Sequence, residues 1–312
     1  MKRTSLCLAL AALAAMGLSL TRPAAAQIGF KFQTLDVPFP GASGTQCLSI
    51  NNQGVIVGVY FAAGGKNIPG FIFRDGAWSS VVVPGAGGAK HPVLGNLLCG
   101  FFGINDAGVT VGDYTDSHDV GHSFLRSADG TITFLADVTS ATYSDPDDWT
   151  VAWGINNEGA IVGYFGRNPL LYAGHSGFIL RHGVITIVDY PGTTDTELFG
   201  INDHDLIVGQ WFDAAGSSHG LLMDHGVFTS FDPPGSTFTY PQGLNNNGDI
   251  VGSYADANGI SHGFLLRKGV YYTFDFPGAW DTVPEAINDH GQIVGSYNNY
   301  SHGFIATIVE GH

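Results

Sequence analysis

A six-bladed β-propeller is the fold class that this 312-residue sequence predicts, and three observations predict it. A pattern Ile/Leu-Asn-x-x-Gly recurs six times, its first residue at Ile50, Ile104, Ile155, Ile201, Leu244 and Ile287, spaced 54, 51, 46, 43 and 43 residues apart. Each copy leads into a Val-Gly-x-aromatic run, and a period of this length built from short alternating segments is the signature of propeller blades. The two chain ends also complement one another. The sixth unit stops at Glu310-Gly311 where a fourth strand is due, and Phe32–Gly41 at the other end reads like Thr273–Gly278 of the fifth unit. One end completing the blade begun by the other removes an open seam and its unpaired edges. A β-solenoid, the runner-up, has shorter coils and no need of complementary ends.

Each unit is expected to give four strands. The first ends at Ile-Asn; the second is the Val-Gly-x-aromatic run, β-branched and aromatic as strands prefer. The third carries a His-Gly/Ser-Phe element, and the fourth is of the Val270–Phe274 kind. Between the first and second strands, Asn-Asn/Asp-x-Gly fits a type I turn closed by a left-handed residue. Glycine supplies that conformation five times, and Asp205, the exception, is a residue type that tolerates it. Asp75-Gly76, Asp129-Gly130, His182-Gly183, His225-Gly226 and Lys268-Gly269 read as two-residue hairpins between third and fourth strands. The calcium-loop look of Asn245-Asn246-Asn247-Gly248-Asp249 is therefore turn architecture repeated six times.

The chain opens with Lys2 and Arg3, an apolar run from Leu6 to Leu20, and Ala24-Ala25-Ala26 before Gln27. That is the layout of a secretory signal peptide, and the apolar run is short for a membrane span. Residues 1–26 are expected to be the leader and 27–312 one exported propeller, extracellular or periplasmic, monomeric and without a membrane anchor, with 27–46 completing the last blade. The leader carries three basic residues and no acids, which leaves 9 basic against 27 acidic residues, a formal charge of −18. Such a balance argues against nucleic acid and anionic membranes as partners. Cys47 and Cys99 remain after the leader, either as one disulfide or as two buried thiols.

The motif wording resembles the bacterial extracellular repeats called the HAF family. Its His-Ala-Phe hallmark appears as His122-Ser123-Phe124, His262-Gly263-Phe264 and His302-Gly303-Phe304, with His219-Gly220-Leu221 as a variant. Pro69-Gly70-Phe71 replaces it in the first unit, and Ser176 is inserted between His175 and Gly177-Phe178 in the third. The resemblance implies this fold and an extracellular compartment, and no defined enzyme activity.

Candidate chemistry follows from place in the repeat. The repeat histidines occupy equivalent places on third strands, roughly 10 Å or more beyond the innermost strands, so they cannot share one ion. Each is expected to bond within its own blade. The second turn residues alternate as Asn52, Asp106, Asn157, Asp203, Asn246 and Asp289. Asp106, Asp203 and Asp289 could ring a divalent cation, the one cofactor considered, or bond their own turns. Strand alternation places the stereotyped turns on one face and the long variable loops, above all 85–98 and 139–150, on the other. Binding concentrates on loops carried by a rigid scaffold. The candidate ligand-binding residues there are Lys90, His91, Tyr143, Asp145, Asp147, Asp148, Trp149, Phe238, Tyr240, Trp280 and Asp281. Aromatics beside carboxylates fit a glycan or a protein partner. The leading expectation is thus a non-catalytic binding module; the alternative is a hydrolase or lyase using carboxylates and His91 on that face. No His-Glu-x-x-His, P-loop or sialidase box occurs.

Overall fold

In a computed structural model, residues 28–62, 67–84, 97–116, 121–138, 148–167, 174–193 and 195–311 are described. The expected leader, residues 1–26, lies outside them. The fold is all-β: six antiparallel blades of four strands stand in a ring, with no helix among the described residues. Blade one runs Ala42–Ile50, Ile56–Ala62, Gly70–Arg74 and Ala77–Val81; blade four runs Thr196–Ile201, Leu206–Phe212, Ser218–Asp224 and Val227–Phe231. Blade two carries a short parallel addition, Asn67–Ile68 against Leu97 and Leu98.

The ring closes with an N-terminal strand. Ile28–Thr34 pairs antiparallel with His302–Glu310, from Ile28 opposite Glu310 to Thr34 opposite Phe304, and forms the outer strand of blade six. Phe30 and Phe32 pack against Phe274 and Phe276 of blade five, so closure also buries apolar surface between blades. Asp36 follows and takes the His302 Nδ1 bond at 2.8 Å, a contact spanning nearly the whole chain.

The turns follow the sequence with one difference. Asp75, His182, His225 and Lys268 each have positive φ before a positive-φ glycine, as a type I′ hairpin requires. Asp129-Gly130 instead belongs to a longer loop, with Gly130 N bonded to Ser127 O and Asp129 Oδ1 accepting from Thr131 N. Ser127 and Ala128 lengthen the connection, and only Gly130 needs the left-handed region. Asp205 sits at φ 61°, in the place glycine fills elsewhere.

The repeated asparagine does more than turn the chain. Asn51 Nδ2 donates to Asn105 O, Asn105 to Asn156 O, and so on through Asn202, Asn245 and Asn288, whose amide returns to Asn51 O at 3.1 Å. All six are buried, and their Oδ1 atoms accept backbone N–H groups within their own turns. Only an amide of this length both donates across to the next blade and accepts at home. Asn245→Ala is expected to cost roughly 3 kcal/mol, because it removes one inter-blade bond and orphans the buried Asp249 N–H and the half-buried Asn247 N–H. Asn247→Ala, on the exposed turn position, should stay within about 1 kcal/mol. Urea midpoints of the two variants check this.

Cys47, for which the sequence leaves both a disulfide with Cys99 and a buried thiol open, is a free buried thiol. It faces Leu35, Val294 and Gly303 of the closing blade, the opposite direction from blade two. Burial raises its pKa far above the ordinary thiol value. The side chain of Cys99 lies outside those described.

Candidate functional site

Counting back from each repeated Ile, the inner strands carry a bulge and then point every second side chain at the axis. The Ile/Leu residues form an apolar waist, 4 to 9% exposed. Two places back stand Leu48, Phe102, Trp153, Phe199, Gln242 and Glu285; four places back stand Gln46, Gly100, Val151, Glu197, Tyr240 and Val283. Most of these line one cavity of about 780 Å³, which Phe212 at a strand end and the loop residues Gly216, Asn299 and Tyr300 also border.

The waist separates that cavity from a second ring at the turn face. Each amide of Asn52, Asn157 and Asn246 donates to Oδ2 of both flanking aspartates, at 2.8 to 3.0 Å. Each Oδ1 of the six residues accepts the backbone N–H of the preceding blade's residue, at 2.7 to 2.9 Å. Asp106, Asp203 and Asp289, the candidate cation ligands, therefore hold every oxygen in a closed Asn–Asp circle, and a cation there would have to displace amide donors.

The other predicted site residues divide by register. Trp149, Phe238 and Asp281 stand six places before the repeat Ile and Tyr240 four places, so all four line the cavity. Trp149 is the second residue of an inner strand and is 2% exposed, packed in the core rather than displayed on a loop. Asp281 accepts Asn299 N through both oxygens. Trp280 is one residue out of phase and 64% exposed, turned away from the cavity. Lys90, His91, Tyr143, Asp145 and Asp147 lie outside the described residues; Asp148 begins the strand Asp148–Ile155, and its side chain is not described.

The repeat histidines divide in the same way. His122, His219, His262 and His302 pair across the strand with Tyr114, Trp211, Tyr254 and Tyr297, and their rings lie against those aromatics. Their Nδ1 atoms bond Asp137, Asp232, Asp275 and Asp36 at 2.8 to 3.2 Å. In blade three the inserted Ser176 takes the histidine's place opposite Phe165, and His175 moves back to face Gly166. A one-residue shift flips a side chain to the other face of the sheet. His175 thereby occupies the place of Ser218 in blade four, whose Oγ reaches Thr239 O of the next blade.

So placed, His175 is 3% exposed and directs Nδ1 at Glu197 Oε1 (2.6 Å) and Asp195 Oδ1 (3.3 Å). Burial opposes its charge, but hydrogen bonds to Asp195 and Glu197 outweigh that and raise its pKa to about 9. Glu197 is oriented by Gln210 Nε2 (2.6 Å), and Gln210 in turn by Ser218. Across the cavity, Glu285 accepts from Gln242 Nε2 at 2.6 Å, and burial pushes its carboxyl up to about 8. Burial also raises the Tyr240 hydroxyl well above its ordinary value. Trp149 Nε1, His175 Nε2 and Gln242 Oε1 are buried without a hydrogen-bond partner among the described residues. Sequence reasoning missed Glu197 and Glu285, and expected His175 to bond within its own blade, whereas it reaches acids of blade four. The signals were present: an inserted serine, and two acids at axis-facing places of otherwise apolar strands.

No protein-family model matches the sequence, and no curated protein matches it, so the resemblance to the HAF repeats stands on motif wording alone. Solved structures do match. AofleA from Arthrobotrys oligospora aligns with a TM-score of 0.54 at 12% identity, over 91% of this chain and 93% of that one. A catalytically inactive variant of virginiamycin B lyase from Staphylococcus aureus, with quinupristin, aligns at 0.51 and 12% identity, over 90% and 100%. The fucose-recognising six-bladed Aleuria aurantia lectin aligns at 0.48 and 9% identity, over 84% and 90%. At such identities the likeness is one of fold.

Proposed function

We propose that the protein is an exported, non-catalytic binding module that takes a saccharide, or the end of a glycan, into the axial cavity on its long-loop face. The observation that carries this reading is the division of the cavity walls. Phe102, Trp153 and Tyr240, from blades two, three and five, form an aromatic arc with Phe102 and Trp153 stacked at 4.5 Å and the buried Phe199 ring against Trp153 and Tyr240. Gln242, Glu285 and Gln46, from blades five, six and one, form a polar arc. A sugar ring presents an apolar face for stacking and hydroxyls that both donate and accept, which fits both arcs and the unpartnered Trp149, His175 and Gln242 atoms. The acidic surface and basic-poor composition agree with a neutral or cationic ligand rather than a phosphorylated one.

A thermal-shift panel of neutral and amino sugars tests it. A ligand at 100 times its Kd adds about 2.7 kcal/mol, a readable rise in melting temperature. Phe238→Ala at the rim, where the ring is 39% exposed, should weaken binding about tenfold and leave the unliganded melting point near the parent's. Saccharides that shift nothing, or shift the Gln242→Leu and Phe238→Ala variants as much as the parent, would overturn the reading. A second reading, acid–base catalysis, is favoured by the buried His175–Glu197 pair facing the same space as a Glu285 carboxyl held protonated at neutral pH. Turnover of a bound sugar, detected by mass change of the ligand, would select it.

A further inference from the structure

We propose that His175, Asp195 and Glu197 form a site for a divalent transition-metal ion, Zn²⁺ by its donor set, with one coordination position open to the axial cavity. The inference is independent of whether the cavity takes a sugar.

Nδ1 of His175, a carboxylate oxygen of Asp195 and one of Glu197 lie within 4.8 Å of one another, the one such grouping of His, Cys, Asp and Glu among the described residues. The three residues are 3%, 6% and 6% exposed. Asp195 and Glu197 are two residues apart at the entry to one strand, hence on one face, and the Ser176 insertion turns His175 onto them from the neighbouring blade. Their separations from Nδ1, 2.6 and 3.3 Å, need only tenths of an ångström of adjustment. Two donors about 2.1 Å from one ion at angles near 90–110° stand roughly 3.0–3.4 Å apart.

Two observations separate this group from an ordinary buried ion pair. Asp195 Oδ1, in a residue that is fully packed, has no polar partner among the described residues besides His175 Nδ1 at 3.3 Å, the nitrogen that Glu197 also takes. The two buried acids also have no lysine or arginine beside them among the described residues that line the cavity. A dication would supply the positive partner. Around the trio, Gln210 holds the second oxygen of Glu197 at 2.6 Å and is itself held by Ser218 Oγ at 2.8 Å, the outer-shell bonding that orients metal ligands. His175 and Glu197 both line the cavity, so a fourth position faces it, the layout of three-ligand sites that bind an exchangeable group.

The test is metal binding by the purified protein, stripped with a chelator and then titrated with ZnCl₂ by calorimetry and with CoCl₂ by visible absorbance. One equivalent per chain is expected, with a Co²⁺ spectrum of low-symmetry N/O ligation. Asp195→Asn should abolish that equivalent while keeping a cooperative melt. Deletion of Ser176 restores the register of the other blades, turns His175 outward, and should abolish it too. A parent that binds no metal overturns the proposal. So does an equivalent that survives Asp195→Asn, or one lost only in Asp203→Asn of the turn-face circle.

Discussion

Gly209→Ala will not accumulate as folded protein. Gly209 stands where the second strand of blade four crosses the bulged inner strand, and an added Cβ would overlap the backbone carbonyl oxygen of Glu197. Its next contacts, the Glu197 carbonyl carbon and Leu198 Cα, are also backbone at 3.0 Å. No rotamer change relieves a clash of main chain with main chain, so the strand must separate from its neighbour. The cost exceeds about 4 kcal/mol, the range of mutations that unfold a domain. The glycine recurs as Gly58, Gly112, Gly163, Gly252 and Gly295, each facing the carbonyl of its own inner strand. That explains Val-Gly-x-aromatic: close approach at this point lets the inner strand bulge and turn its alternate side chains to the axis. Gly183→Ala is the control, at positive φ with nothing near its Cβ, and should cost only about 1 kcal/mol. A Gly209→Ala protein whose urea midpoint matches that of Gly183→Ala would refute the argument.

Glu285→Gln will flatten the pH dependence of stability and make the protein more stable than its parent above pH 8. Burial raises the Glu285 carboxyl from an ordinary 4.5 to about 8, so between those values the folded chain keeps a proton that the unfolded chain releases. The folded state then binds more protons, and stability falls as pH rises across that window, becoming level above about 8. The full fall is on the order of 5 kcal/mol. Glutamine keeps the shape and the neutral state, so the two proteins should agree near pH 4.5, diverge steadily up to about pH 8 and keep that gap above it. His175 loses stabilisation as pH rises from 6.5 towards its folded value of about 9, but does so in both proteins. The difference between the two stability curves therefore isolates Glu285, and parallel curves would reject its protonated state.

Much of this was legible in the sequence, for reasons that particular residues show. Six copies of Ile-Asn-x-x-Gly set the blade count, Asp205 foretold its left-handed turn, and Phe32–Gly41 announced the closing strand. Trp149, Phe238, Tyr240 and Asp281 were placed on the functional face, but as loop residues; their convergence comes from counting in twos from the repeat Ile. Trp280 fails that count by one and faces outward. Asp129-Gly130 looked like its four counterparts and differs because Ser127 and Ala128 join its loop.

The boundary between the two kinds of knowledge follows the range of the interactions. Local chemistry is written into adjacent residues: turn glycines, strand alternation and period length act within a few positions, so sequence alone determined the blades, their number and the seam. What joins residues far apart required the tertiary structure. The Asn51-to-Asn288 circle, the Asn–Asp circle at the turn face, the Cys47 thiol facing blade six and the His175–Glu197 contact each depend on which blade lies beside which, and on which face a strand presents. A single inserted serine changes neither composition nor period. Through a pleat of two residues it turns His175 from a surface pair into the wall of the cavity.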